Sequence, residues 1–349
     1  MVAIKPSKPR PNADQWRKAR FFDKTPIEMM LTFVPIPKSP SEVKYPQYSV
    51  KPPAYLELAQ YVRLAPLVLA LPVGRWLYME YTGNTIPPAV MFVLFIGAMV
   101  AMFFAQGSHL NWLSEKVGFL DGNNERDTIP KDVAPSLGRE LLFGLVGRSS
   151  ILIFLSYDEN APLQLSWWLP IQLGTLSIIA DFVYYWVHRA SHEVGSLWYL
   201  HKRHHTTKHP NFLLFAFADE PQEVFDLLVS PIITYLLYPV GFDTFSIWLL
   251  FFLAVEFSGH SGLRIYYPAF LGSPLLRPFG CELVLEDHDL HHRMGWQKSH
   301  NYGKQTRLWD TLFGTDSARI ETNSENVDWC NSLWEWIAIR ENTSQQQAA

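Results

Sequence analysis

The chain has 349 residues, of which 48% are hydrophobic, 15% aromatic and 18% charged, with a formal net charge of −4. This composition excludes a generally disordered chain, and the negative balance argues against nucleic acid as a partner, because phosphate binding needs a concentrated basic surface. Two cysteines, Cys281 and Cys330, are too few for a disulfide framework, so a metal site in this chain has to be held by histidine.

Residues 1–52 are rich in Pro, Lys and Arg, with no charged start followed by an apolar run of the secretory kind, and read as a disordered basic cytosolic arm. Membrane character follows in 53–186. Pro88 to Ala105 carries no charge and is long enough to cross about 30 Å of hydrocarbon as a helix. Leu64 to Gly74 is a shorter apolar run between Arg63 and Arg75, whose side chains would have to snorkel. Leu141 to Tyr157 has Arg148 at its middle, so it is a span turned to the bundle interior or a buried helix. Trp167 runs through Asp181 to His188 as a fourth span, and Trp167, Trp168, Tyr184, Tyr185 and Trp186 fit an interfacial aromatic belt. Two short apolar arms around Pro239-Val240-Gly241 make a re-entrant hairpin over 224–258, each too short for a comfortable span.

Loop charges give the topology. Lys and Arg are concentrated before residue 60 and in 107–138, and are absent from 82–87 and 158–166. The positive-inside rule then puts both termini in the cytosol and His188 at the cytosolic end of the fourth span. The fold class that follows is all-α: an integral membrane helical bundle of about four spanning helices plus the short apolar hairpin, with a cytosolic, histidine-rich di-metal catalytic cap. The cap belongs to a catalytic region over 187–320, and 321–349 form a C-terminal cytosolic tail. The sequon Asn342-Thr343-Ser344 would be unused on that side.

Ten of the 12 histidines lie between His188 and His292. His188 and His192 form H-x-x-x-H, His201, His204 and His205 form H-x-x-H-H, and His288, His291 and His292 form a second H-x-x-H-H. Spacings of three and four put side chains on one helix face, so each group can aim two or three imidazoles at one place. Gathered imidazoles at a membrane face favour a metal, which binds the deprotonated ring. Eight ligands exceed what one tetrahedral zinc uses, which implies two ions in one bowl. Imidazole suits Zn, Cu, Fe and Ni alike, so ligand type leaves the metal open. His109, His209 and His300 stand alone and read as ordinary polar or surface histidines.

The boxes H188-R-A-S-H192, H201-K-R-H-H205 and H288-D-L-H-H292, with His260 in G-H-S-G between them, resemble the fatty acid hydroxylase superfamily, which includes sterol desaturases and methylsterol oxidases. N301-Y-G303, W309-D310 and F313-G314-T315 carry the resemblance further, over about residues 140–320. It implies a membrane-bound non-haem di-iron oxygenase of the endoplasmic reticulum, multi-pass, which hydroxylates or desaturates a lipid-like substrate: a sterol, a fatty acyl chain, or a terpenoid or polyketide. It also implies O₂ and two external electrons, drawn from NAD(P)H through a reductase, usually cytochrome b5 with its reductase. Carried residue by residue, the metal ligands would be His188, His192, His201, His204, His205, His260, His288, His291 and His292. No His-Pro-Gly-Gly segment is present, so cytochrome b5 would be a separate partner. The alternative is a non-redox membrane protein with two zinc ions, a hydrolase or a metal-handling protein.

Carboxylates near the boxes are candidates for orienting the rings. Asp181 lies two helical turns before His188, Glu256 one turn before His260, and Glu286, Asp287 and Asp289 crowd the third box, while Asp219, Glu220 and Glu223 follow the second. Lys202, Arg203 and Lys208 are expected near anionic headgroups. The stretch after the second box, Thr206 to Glu220, departs from an ordinary sterol-pathway enzyme, which argues against a housekeeping sterol role and leaves room for a specialised pathway.

Overall fold

Proline at the first turn and a left-handed glycine after the last are inexpensive ways to bound a helix, and both recur here. The computed structural model describes residues 15–46, 48, 50–217, 222 and 224–333. Helix α1 spans Pro26–Phe33 and α2 spans Glu57–Thr82, stopped by Gly83 at φ 66°. Helices α3 (Pro88–Val117), α4 (Ala134–Ser156) and α5 (Leu169–Glu193) each carry a proline at the first or second position. A π-helical turn, Phe225–Val229, leads into α6 (Ser230–Leu237), and α7 (Phe242–Gly259), α8 (Leu285–Arg293) and α9 (Leu308–Phe313) follow.

The fold is mostly helical, with one addition to the all-α expectation. Strand β1 (Pro53–Tyr55) pairs in parallel with β2 (Asp328–Leu333), joining the segment before α2 to the far end of the described chain.

Among the described residues, three helices are long and apolar enough to cross a membrane: α2, α3 and α7. The set differs from the one expected. α4 and α5 coincide with the third and fourth expected spans but are more polar, whereas α7, expected as one arm of a re-entrant hairpin, is an 18-residue helix with 94% of its apolar window buried. It is the axis of the bundle, packed against α2, α3, α4 and α5. Burial on every side explains why it is apolar all round rather than striped.

The two carboxylates embedded in α7 are each paired with an arginine of another helix. Arg148 meets Glu256 of α7 at 2.8 Å, and Arg75 meets Asp243 of α7 at 3.1 Å, all four nearly inaccessible. Arg148 is therefore turned inward, and the carboxylate of Glu256 is a buried ion-pair partner.

The N-terminal arm also departs from expectation, because from residue 15 onward it has a definite structure. Thr25 and Glu28 form a reciprocal capping box that starts α1. α1 then lies on α4 so closely that a Cβ at Gly138 would sit 2.2 Å from Ile27 Cγ2. The remaining N-terminal residues, 1–14, and the C-terminal tail from 334, with its sequon, lie outside the described residues.

Candidate metal centre

Three chain segments deliver histidines to one place. The C-terminal end of α5 carries His188 and His192, the short helical turns at Trp198–His201 and His204–Thr206 carry His201, His204 and His205, and α8 carries His288, His291 and His292. His260 arrives directly after the last turn of α7. All nine are buried.

They separate into two groups. His188, His192, His201, His205 and His291 form one, and His204, His260, His288 and His292 the other; in each, one ring nitrogen per residue lies within 4.8 Å of every other. The H-x-x-H-H boxes are thus divided between the groups rather than each serving one. His201 and His205 face the first, His204 between them faces the second, and α8 likewise sends His291 to the first but His288 and His292 to the second.

Hydrogen bonds on the far side of the rings decide where the lone pairs point. A backbone carbonyl can only accept, so a ring nitrogen bound to one carries the proton and the other nitrogen is bare. Nδ1 donates to a carbonyl in six cases: His188 to Tyr302 (2.6 Å), His192 to Trp296 (2.8 Å), His204 to Phe217 (3.0 Å), His260 to Glu256 (2.8 Å), His291 to His300 (2.6 Å) and His292 to Thr207 (3.2 Å). The Nδ1 atoms of His201, His205 and His288 have no hydrogen-bond partner among the described residues.

The consequence is sharpest at His204 and His260. Both Nε2 atoms are bare, yet they face one another at 3.2 Å with no proton to share. Two opposed lone pairs repel unless a cation lies between them. Close Nε2 to Nε2 approaches recur at His188 and His201 (2.9 Å), His201 and His205 (3.1 Å) and His260 and His288 (3.0 Å), while the Nε2 atoms of His192, His291 and His292 have no partner. A buried polar atom without a partner is costly. The donor set fits a metal: each group could hold one ion.

Electrostatics agree. Burial, followed by the neighbouring imidazoles, holds His201, His205, His288, His291 and His292 well below the ordinary imidazole range, and burial with the nearby Lys304 ammonium pushes His204 down to about 3. The rings are neutral at physiological pH, the form that binds metal.

Among the described residues, no carboxylate proposed to orient the rings does so. Asp181 accepts from the backbone N–H groups of Lys304, Gln305 and Thr306 and from the Thr306 hydroxyl, tying down the loop after Tyr302. Glu286 accepts from Ile320, Glu321 and Thr322, Asp287 pairs with Arg319 at 2.8 Å, and Asp289 pairs with Arg293 at 2.9 Å. Burial raises Asp289 to about 6 in spite of its arginines. Asp219, Glu220 and Glu223 lie outside the described residues. Arg203 pairs with Glu140, and Lys208 donates to the carbonyl of His292, so neither is turned to a headgroup. Trp167 and Trp168 are exposed, but Tyr184 and Tyr185 are buried and leave the aromatic belt incomplete. The three lone histidines stay outside both groups: His109 packs against Tyr55 and Trp112, His209 lies 3.9 Å from Asp121, and His300 contributes only its carbonyl.

The orienting groups that sequence reasoning missed are these backbone carbonyls. A signal for one existed in N301-Y-G303. Asp310 accepts from the N–H groups of Tyr302 and Gly303 and from the Thr315 hydroxyl, which fixes the peptide whose carbonyl aims His188. Gly303 is required there, since a Cβ would sit 2.5 Å from the Thr306 carbonyl oxygen.

Comparison with known proteins now has a geometry to attach to. Residues 173–315, which hold all nine histidines, match the fatty acid hydroxylase family model. Over that segment the chain is similar to the fatty acid hydroxylase family. A fatty acid hydroxylase of Lecanicillium sp is 44% identical over 236 residues, 64% of each chain. Methylsterol monooxygenase 2-2 of Arabidopsis thaliana is 28% identical over 65% of this chain and 87% of its own, and a very-long-chain aldehyde decarbonylase of Oryza sativa subsp. indica is 33% identical over 40% and 50%. The match thus spans less than two thirds of the fungal relative's length and half of the rice one's. No solved structure matches the chain significantly.

Proposed function

We propose that this protein is a membrane-bound non-haem di-iron oxygenase that hydroxylates or desaturates a lipid-like substrate, using O₂ and two electrons from NAD(P)H through cytochrome b5 and its reductase. The observation that carries the reading is the pair of opposed, proton-free Nε2 atoms of His204 and His260, set in two groups of buried, neutral imidazoles. His188, His192, His201, His205 and His291 hold one ion, and His204, His260, His288 and His292 the other. Five donors in one group exceed the four of a closed zinc site, which favours iron. Iron held there supplies the redox chemistry by which O₂ attacks an unactivated C–H bond.

The chain contributes aim and dryness. Its carbonyls turn each pinned lone pair inward, Asp310 and Asp181 hold the segment that carries the Tyr302 carbonyl, and burial keeps every ring unprotonated. The apolar helices suit residence in the endoplasmic reticulum membrane, with the histidine region and both termini on the cytosolic side and α4 and α5 at least partly in the bilayer.

Elemental mass spectrometry of detergent-purified wild type and His204→Ala tests the assignment. About two irons per chain are expected from the two-group donor set, with a loss in the variant, together with O₂-dependent turnover that the variant lacks. Zinc at that stoichiometry with activity in anaerobic buffer would replace the reading with a di-zinc hydrolase, and full turnover by His204→Ala would remove the residue from the centre.

A further inference from the structure

A second feature lies one ring layer from the histidines. A cavity of about 120 Å³ is lined by residues of α1, α3, α4, the Phe212–Ala216 turn, the π-helical turn and α7, and its walls are almost wholly apolar. Met30 of α1, Phe103 of α3, Gly144 of α4, Leu253 and Phe257 of α7, and Phe215 are among its lining residues. Phe215 and Phe257 stand 4.6 Å apart, ring centre to ring centre, and Phe215 is 6.5 Å from the His260 ring. The two charged side chains at its edge, Glu140 and Arg148, are engaged with Arg203 and Glu256. The space is dry and greets only hydrocarbon.

Its size selects among hydrocarbons. Pockets for drug-sized ligands begin at about 300 Å³, so a rigid fused-ring system is too large for this one, whereas a single chain threads it. Gly144 matters because it leaves room: a Cβ there already meets Leu227 Cδ1 at 3.2 Å, and any longer side chain competes for the cavity. Met30 stands on the N-terminal segment, a part of the chain outside the matched 173–315 region. We propose that this cavity receives one unbranched alkyl tail of the substrate, and that Gly144 and Met30 are the residues that set how much of the tail is admitted. The word substrate rests on the oxygenase reading; the binding of the tail does not.

The test uses the full chain in phospholipid nanodiscs and a palmitate carrying a diazirine near its methyl end, crosslinked by light and mapped by peptide mass spectrometry. Label is expected on peptides of α1, α4 and α7, displaced by palmitate and not by cholesterol. Gly144→Leu and Met30→Trp, which fill the cavity from two different helices, should each cut that label about tenfold through overpacking. Met30→Trp changes no helix-to-helix glycine contact, so it reports even where Gly144→Leu fails to fold, and unchanged melting temperatures certify either variant. Label that maps elsewhere, that survives in the folded variants, or that cholesterol displaces as well as palmitate does would overturn the proposal. His204→Ala separates the two readings: cavity labelling is expected to persist there while turnover is lost. Labelling without turnover of any lipid by the wild type would sink the oxygenase reading and leave the cavity assignment standing.

Discussion

Helices α3 and α7 are both apolar enough to span a bilayer, yet they live in opposite surroundings. Only 22% of the apolar window of α3 is buried in protein, against 94% for α7. α3 shows Val93 and Leu94 to the outside, while every residue of α7 from Phe242 to Ser258 is buried. Hydrophobicity records the absence of water and not which apolar neighbour replaces it, lipid or protein. The polar residues make the distinction: α7 carries Asp243 and Glu256, each matched to an arginine on another helix, and the apolar stretch of α3 from Pro88 to Ala105 carries no charge at all.

That contrast can be broken experimentally. The largest effect is expected at the pair between α4 and α7. Glu256→Ala strands the Arg148 guanidinium and should destabilise the protein by about 3–5 kcal/mol. Adding Arg148→Met should restore much of the loss. Denaturant unfolding in detergent checks both, and a silent Glu256→Ala would mean that the pair is solvated and α7 is not the buried axis. A somewhat smaller effect is expected on α3, where Leu94→Lys should raise its apparent insertion free energy in microsomes by about 3–4 kcal/mol, the difference between a central lysine and the leucine it replaces. No penalty there would remove α3 from the bilayer. The smallest effect sharpens the contrast: Val93→Ala, on the outward face, should shift unfolding by no more than about 0.5 kcal/mol.

Sequence periodicity finds elements that act through their own side chains. The histidine spacing anticipates which residues gather, and α3 is evident from composition. It does not anticipate that His204 leaves His201 and His205 to join His260, because a 3-residue spacing gives a shared face only on a continuous helix, and the chain here breaks into short turns at Trp198–His201 and His204–Thr206. The 18 residues of α7 look like a hairpin arm because length alone ranks them, and their burial depends on helices far away in the chain. Nor could the carboxylates be sorted. Asp181, Glu286 and Asp289 sit beside histidine boxes in sequence, but their partners are backbone N–H groups and arginines that only the folded chain brings near. The order of 15–46 was hidden for a similar reason: its proline-rich composition suits an extended coil, and the apolar surface that holds α1 belongs to α4.

Six of the nine imidazoles are aimed by the carbonyl oxygens of Thr207, Phe217, Glu256, Trp296, His300 and Tyr302. Every amino acid has a carbonyl, so exchanging a side chain at any of these positions leaves the acceptor in place. What erases it is a change in the path of the chain. The aim of the centre is therefore inherited as loop length rather than as residue identity. Descendants of this fold are free to recolour the walls around the histidines while keeping their orientation, but a single deletion between Trp296 and Tyr302 would slide three of the six acceptors, at Trp296, His300 and Tyr302, out of register together.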